Sequence, residues 1–322
     1  MFRATFELSP PGAVGILDPL GGRVSSDDGK TVSVDLPEDT WGADVALLLT
    51  SVVAGEIMEL RRLTRCRLVA LTVPQGVLPG PAFGATGQVD VGVIVKPPLG
   101  LSPGEVADVV RAAVAGGARF VKDDETLGDP PWCPLAARVR AVSKGLEPGV
   151  VYCPNVTGPV TTLLDRARLA VDLGATGLLV NPFGQGLGGP VALREAGLGV
   201  PLFAHRAGSG PWARNPDFGP TGAVLAGLLR LCGADYVVAG GFGGTLFEGD
   251  DEVRANLHAV RGPSWALPAV AALDGGMGPD DVRAQVEAAG GDGLLVLLGS
   301  RAYAFPGGLE AAVRHAVEIL AP

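Results

Sequence analysis

Cysteine is scarce. Four residues, Cys66, Cys133, Cys153 and Cys232, are spread over 322 positions with no C-x-x-C pair. That spacing excludes a dense disulfide framework and predicts a reduced, cytoplasmic protein. Positive charge is also in deficit: 25 Lys and Arg stand against 34 Asp and Glu, a net charge of −9. The deficit argues against nonspecific nucleic-acid binding and against docking to an anionic membrane surface. No apolar run reaches the roughly 18 to 20 residues of a membrane helix. The start, Met1-Phe2-Arg3-Ala4-Thr5-Phe6, has no basic region leading into a long apolar one, so no secretory signal is expected. Histidine is rarer still. Of three, His258 and His315 fall in helix-like stretches, which leaves His205 as the one placed for chemistry.

The chain is rich in apolar residues (47%), glycine (49) and proline (27). The glycines and prolines punctuate a repeating theme rather than marking disorder. From about residue 91, a short β-rich run ends in a polar or Gly/Pro cluster and a helix-like stretch follows. The runs are Val91–Val95, Ala118–Val121, Val150–Cys153, Gly177–Val180, Pro201–Ala204, Tyr236–Ala239, Ala269–Leu273 and Leu294–Leu297. Helical stretches lie at Pro103–Ala115, Pro134–Ser143, Thr161–Leu173, Ala223–Leu231, Pro279–Ala289 and Leu309–Leu320; the pieces after the fourth run and at Asp250–Val260 are less distinct. Alternation of this kind predicts parallel strands and a (β/α)8 TIM barrel over residues 89–322, with a six-strand open sheet as the alternative. Residues 1–88 read as a small, trimmed α+β (ferredoxin-like) domain. Its β-prone runs are Ala4–Leu8, Thr31–Leu36 and Leu68–Val73, its apolar helical stretch is Val45–Leu60, and a Pro/Gly-rich linker follows at Val77–Gly84.

The chemistry centres on Lys122-Asp123-Asp124-Glu125, which ends the second run of the barrel. Side chains on a strand alternate faces, so Lys122 and Asp124 point one way and Glu125 follows in the loop. Such a cluster is either a set of surface salt bridges or a hard-cation site. A lysine ammonium cannot ligate a divalent cation. A neutral lysine amine that has captured CO2 becomes a carbamate, a third anionic oxygen donor for Mg²⁺. Active sites of barrels sit at the carboxyl ends of the strands. Polar residues gather there: Lys96, Lys122, Asp124, Glu125, Asn155, Asn181, His205, Arg206, Gly240-Gly241, Asp274-Gly275-Gly276 and Gly299-Ser300-Arg301. The segment Gly184-Gln185-Gly186-Leu187-Gly188-Gly189 fits G-x-G-x-x-G but falls in the fourth unit without the expected acid downstream, so no dinucleotide is assigned.

Several of these motifs, in order and spacing, resemble the ribulose-bisphosphate carboxylase large-chain superfamily. They are Val95-Lys96-Pro97-Pro98-Leu99-Gly100-Leu101-Ser102, Lys122-Asp123-Asp124-Glu125, Ala204-His205-Arg206-Ala207 and Gly275-Gly276. Gly55-Glu56-Ile57-Met58-Glu59-Leu60-Arg61 and Pro79-Gly80-Pro81-Ala82-Phe83-Gly84 resemble its RuBisCO-like (form IV) branch. The resemblance implies Lys122 as the carbamylated lysine, Asp124 and Glu125 as Mg²⁺ ligands, and Lys96 and His205 as active-site groups. It further implies Arg206 and the amides of Gly275 and Gly276 as phosphate contacts, and a homodimer in which Glu56 stands where the partner's small domain supplies an asparagine. Asn155 and Gly299 complete the substrate contacts.

Departures from the family pattern narrow the reading. Pro98 replaces a lysine, Gly240-Gly241-Phe242-Gly243-Gly244-Thr245 lacks the flexible-loop lysine, and Leu298-Gly299 replaces a Gly-Gly pair. The resemblance thus implies Mg²⁺-dependent enolisation of a small sugar-phosphate-like or keto-acid substrate, as an enolase, isomerase or decarboxylase, without CO2 fixation. The alternative is a non-catalytic or regulatory barrel that keeps the metal motif.

Overall fold

The structure is a computed structural model and describes residues 1–10, 13–42, 44–85 and 87–321. Among the described residues, thirteen strands fall into two sheets. Four open the chain: β1 (Phe2–Ser9), β2 (Arg23–Asp27), β3 (Thr31–Leu36) and β4 (Arg65–Thr72). The barrel strands are β5 (Val89–Ile94), β6 (Phe120–Lys122), β7 (Val151–Cys153), β8 (Leu178–Val180), β9 (Leu202–Ala204), β11 (Tyr236–Val238), β12 (Val270–Leu273) and β13 (Leu294–Leu298); β10 (Phe218–Pro220) lies between β9 and β11 in the chain. Their spatial order is β7-β6-β5-β13-β12-β11-β9-β8. The ring closes where the Val156 amide donates to Leu179 O (2.9 Å) and the Leu179 amide to Pro154 O (3.0 Å). Each of the eight apolar runs in the sequence becomes one of these strands, with ends shifted by at most two residues. This is the eight-stranded barrel, not the open sheet.

Helices α1 (Val45–Leu48), α2 (Pro103–Ala115), α3 (Leu135–Ser143), α4 (Leu163–Asp172), α5 (Pro182–Gln185), α6 (Gly188–Glu195), α7 (Gly210–Ala213), α8 (Gly222–Leu231), α9 (Asp250–Arg261), α10 (Val282–Ala289), α11 (Ser300–Tyr303) and α12 (Gly308–Leu320) complete the fold. Local chemistry sets several boundaries. Ser102 and Glu105 form a reciprocal capping box in front of α2, with Pro103 at its first position. Such a cap stabilises a helix by about 1 kcal/mol. The two indistinct pieces become α5 with α6, and α9, whose first turn carries Asp250, Asp251 and Glu252 against the helix dipole.

The N-terminal sheet has the order β10-β4-β1-β3-β2. β1 runs antiparallel to both β3 and β4. β10 leaves the barrel sequence after β9 and pairs parallel to β4, with Phe218 opposite Cys66. The Val45–Leu60 stretch, expected as one helix, breaks instead into α1, a π turn (Leu49–Val53) and a 3-10 turn (Glu56–Glu59). A Cβ on Gly55 would lie 2.4 Å from Ser51 O, so the close turn at the break requires glycine.

The barrel interior is plugged by Ile94, Phe120, Cys153, Leu179, Phe203, Val238, Ala272, Leu295 and Leu297. Phe120 packs against Phe203 and Tyr236 with ring centroids 5.6 Å and 4.8 Å apart. This apolar plug is the floor on which the polar rim stands. All four cysteines are free and buried. Among the described residues, no helix is long and apolar enough to cross a membrane.

Candidate active site

The rim residues converge above the aromatic floor. Lys122 ends β6 and is fully buried, its Nζ 5.7 Å from the centroid of the Phe203 ring. Its amine donates to Asp123 O (3.1 Å) and Glu125 Oε2 (3.2 Å). Asp124 is buried beside it. One carboxylate oxygen is paired with Lys96 Nζ, and the other accepts from the Thr126 amide (2.9 Å) and hydroxyl. The alternation expected of a strand end is visible here. Asp123 points the opposite way, into a buried network with Arg138 Nε (2.9 Å), the Tyr152 hydroxyl (2.9 Å) and the Asn155 amide (3.0 Å).

Asn155 is spent on the backbone. Its Nδ2 donates to Glu125 O (2.8 Å) and its Oδ1 accepts from the Thr157 amide (3.0 Å), so it props the Asp124–Glu125 loop. Tyr303 does the same for Lys96: its hydroxyl donates to Ile94 O (2.8 Å) and accepts from the Lys96 amide (3.0 Å). Composition gave no signal for that residue.

His205 follows β9 and stacks on Phe203, ring centroids 6.2 Å apart. Burial, and then the charges of Lys122 and Arg206, hold it well below the ordinary imidazole range, so it is neutral. Nδ1 accepts from the Ala207 amide (3.0 Å), which assigns the proton to Nε2. Nε2 faces Glu125 Oε2 (3.4 Å) and Asp274 Oδ2 (3.8 Å). Burial would raise the Glu125 carboxyl, but the charge and hydrogen bond of Lys122 bring it below its usual range. Asp274 is pushed up to about 6, by burial above all.

A cavity of about 400 Å³ opens on Glu125, His205, Arg206, Glu248, Asp274 and the Gly275-Gly276 turn. Gly275 and Gly276 have φ of 110° and 85°, a turn geometry that suits anion binding by backbone amides. Arg206 is ion-paired with Glu248, both nearly fully buried. Glu248 was not singled out in the sequence, because the pairing joins loops 42 residues apart and leaves no periodic trace. Gly299 follows β13, its amide donating to Met277 O (3.3 Å). Glu56 is exposed in the N-terminal layer and is not among the residues that open on the cavity. Another hollow of about 380 Å³, between β4, α8 and α9, lacks convergent charge. Its Arg230 is committed to the carbonyls of Leu267, Ala259, Gly262 and Ala266.

An eight-stranded barrel with a lysine-carboxylate cluster at its rim and a five-stranded N-terminal sheet defines the class. Residues 82–264 match the ribulose bisphosphate carboxylase large chain, catalytic domain. The chain is 30% identical over 308 residues to an uncharacterized ribulose bisphosphate carboxylase-like protein of Bordetella bronchiseptica, covering 87% of this chain and 72% of that one. It is 29% identical to the 3-oxo-isoapionate-4-phosphate decarboxylase of Rhizobium rhizogenes, covering 88% and 73%. In fold it is similar to the octameric ribulose-1,5-bisphosphate carboxylase/oxygenase of Pyrococcus horikoshii (TM-score 0.89, 22% identity, 99% of this chain and 87% of that one). The chain therefore belongs to the ribulose-bisphosphate carboxylase large-chain family, among its RuBisCO-like proteins.

Proposed function

We propose that this protein is a Mg²⁺-dependent enolising enzyme, an isomerase or lyase acting on a sugar-phosphate-like or keto-acid substrate, and not a carboxylase. The observation that carries the reading is the convergence of Lys122, Asp124, Glu125, Lys96 and His205 in one cluster at the barrel rim. The donor set fits the metal on one condition. Among the described residues, no three His, Cys, Asp or Glu side chains gather unaided into a metal cluster. A third hard oxygen has to come from Lys122, whose buried Nζ already lies 3.2 Å from Glu125, and a carbamate there supplies it.

Lys122 as carbamate, Asp124 and Glu125 would hold Mg²⁺, which when bound polarises a substrate carbonyl and spreads developing negative charge. The other steps fall to the chain's own groups. Lys96, a quarter exposed and paired with Asp124, is the group placed to take the α proton while the C–H electron pair moves toward the carbonyl. His205 carries its proton on Nε2 and acts as donor and proton carrier rather than as the first base. The loop after β11, residues 240–245, has no lysine to hold a newly added carboxylate, which argues against CO2 fixation. The decarboxylase named among the relatives suits an enolising lyase. The octameric structural neighbour suits self-association, with Glu56 serving the partner's site.

Calorimetry of Mg²⁺ binding with and without bicarbonate tests the site. Affinity should rise with bicarbonate and lose that dependence in Lys122→Ala; affinity indifferent to both refutes the carbamate. Exchange of a substrate α proton in deuterium oxide tests the chemistry. No exchange from any of a panel of keto-sugar phosphates and keto acids would replace this reading with the non-catalytic barrel. A strict monomer by X-ray scattering would retire the role of Glu56.

A further inference from the structure

The Arg206 end of the cavity is built unlike an anion site. Arg206 and Glu248 have side-chain exposures of 5% and 2%, and their charges cancel. The pair is joined through a single contact, Arg206 Nη1 to Glu248 Oε1. Four further buried atoms here have no partner: Arg206 Nε and Nη2, Glu248 Oε2 and Asp274 Oδ1. Buried polar atoms are almost always satisfied, so such a group in a cavity marks what a ligand should supply. Two of the four are donors and two are acceptors. The dianion of a phosphate monoester offers only acceptors and would meet two carboxylates. A hydroxyl both donates and accepts.

Resting on the reading of this cavity as the active site, we propose that its Arg206 end receives an uncharged, hydroxyl-bearing part of the substrate, and that Glu248 is the residue that excludes a phosphate there. The backbone holds the pair in place. Gly240 lies beneath it, and a Cβ there would stand 3.1 Å from Arg206 Nη2 and 3.9 Å from Glu248 Oε2. Any phosphate of the substrate then belongs at the other end of the cavity, over the Gly275-Gly276 amides. The substrate class is accordingly a ketose or keto acid with at most one phosphate and a free hydroxyl terminus.

Crystals of the wild-type protein and of Glu248→Gln, soaked in inorganic phosphate, test the proposal. Phosphate is expected on Arg206 only in the variant, whose affinity by calorimetry should gain roughly tenfold or more, the worth of one charge-assisted hydrogen bond. Phosphate seated on Arg206 in the wild type, or absent from Arg206 in both, overturns it. Should Glu248→Gln not fold, the wild-type soak alone decides, beside a soak in the uncharged ketose erythrulose. Ketose hydroxyls on Glu248 Oε2 and Asp274 Oδ1 support the proposal, and phosphate on Arg206 sinks it. Mg²⁺ binding with and without bicarbonate, measured on the same proteins, separates the two readings. A retained bicarbonate response with phosphate on wild-type Arg206 removes this inference alone. A missing bicarbonate response removes the metal reading and leaves the phosphate result standing.

Discussion

Replacing Asp123 should cost more stability than any exposed charge in the chain. Asp123 and Arg138 are both wholly buried, and the carboxylate accepts from Arg138 Nε, the Tyr152 hydroxyl and the Asn155 amide. In Asp123→Asn the remaining oxygen can still serve Arg138 and Asn155, while the new amide can donate to Tyr152. What is lost is the charge opposite Arg138, whose other partners, Cys133 O (2.7 Å) and Gly128 O (2.9 Å), are neutral carbonyls. An uncompensated buried charge costs about 3 to 5 kcal/mol, and the preserved hydrogen bonds place this variant near the lower figure. Asp123→Ala also orphans the Tyr152 hydroxyl and the Asn155 amide, adding about 1 to 3 kcal/mol for each. Urea denaturation followed by circular dichroism measures both. A loss under about 1 kcal/mol for Asp123→Asn would show that the pair does not hold the end of β6. Since Lys122 and Asp124 flank this residue, the variant should also weaken bicarbonate-dependent Mg²⁺ binding.

Asp274 supplies a pH test. Its carboxyl is raised from 3.8 to about 6 on folding, so the folded state holds the proton more tightly. Its contribution is full below about pH 4 and is lost as pH rises through 6, on the order of 3 kcal/mol over two units. Asp274→Asn should flatten stability between those values in urea titrations at a series of pH values; an unchanged slope would refute the assignment. Asp235 latches the linker, accepting from the amides of Ala82 (2.9 Å), Phe83 (2.8 Å) and Leu202 (2.8 Å) and pairing with Arg194. Asp235→Ala should lose about 3 to 5 kcal/mol and open residues 77–84 to limited proteolysis, and a linker no more easily cut than in the wild type would argue against the latch.

The barrel strands were legible because a parallel strand buried on both faces reads as an apolar run, and a polar or Gly/Pro cluster ends each one. β2 left no such mark. Its five residues, Arg23-Val24-Ser25-Ser26-Asp27, are all exposed at the sheet edge, so no face was selected for burial. β10 is three residues whose strand character comes from β4, not from their own pattern. At the rim, the charged residues at strand ends could be read because the barrel dictates where strand ends meet. The roles of Asn155 and Glu248 could not, because each depends on which distant atom it faces. Asn155 reads as a polar rim residue but spends its side chain beneath the loop, and Glu248 reads as one more loop acid but closes on Arg206.

The excursion of β10 bears on how the chain is made. Arg65 and Pro216, joined across the β4–β10 edge, are 151 residues apart. At about 5 to 20 residues per second of synthesis, β4 waits on the order of 10 to 30 seconds for its last neighbour. Over that interval a nascent chain presents one side of β4 as an open edge, able to pair with another copy on the same message. The fifth strand also arrives from just beyond His205 and Arg206, so the stretch of chain that completes the N-terminal layer is the one that leaves that corner of the rim.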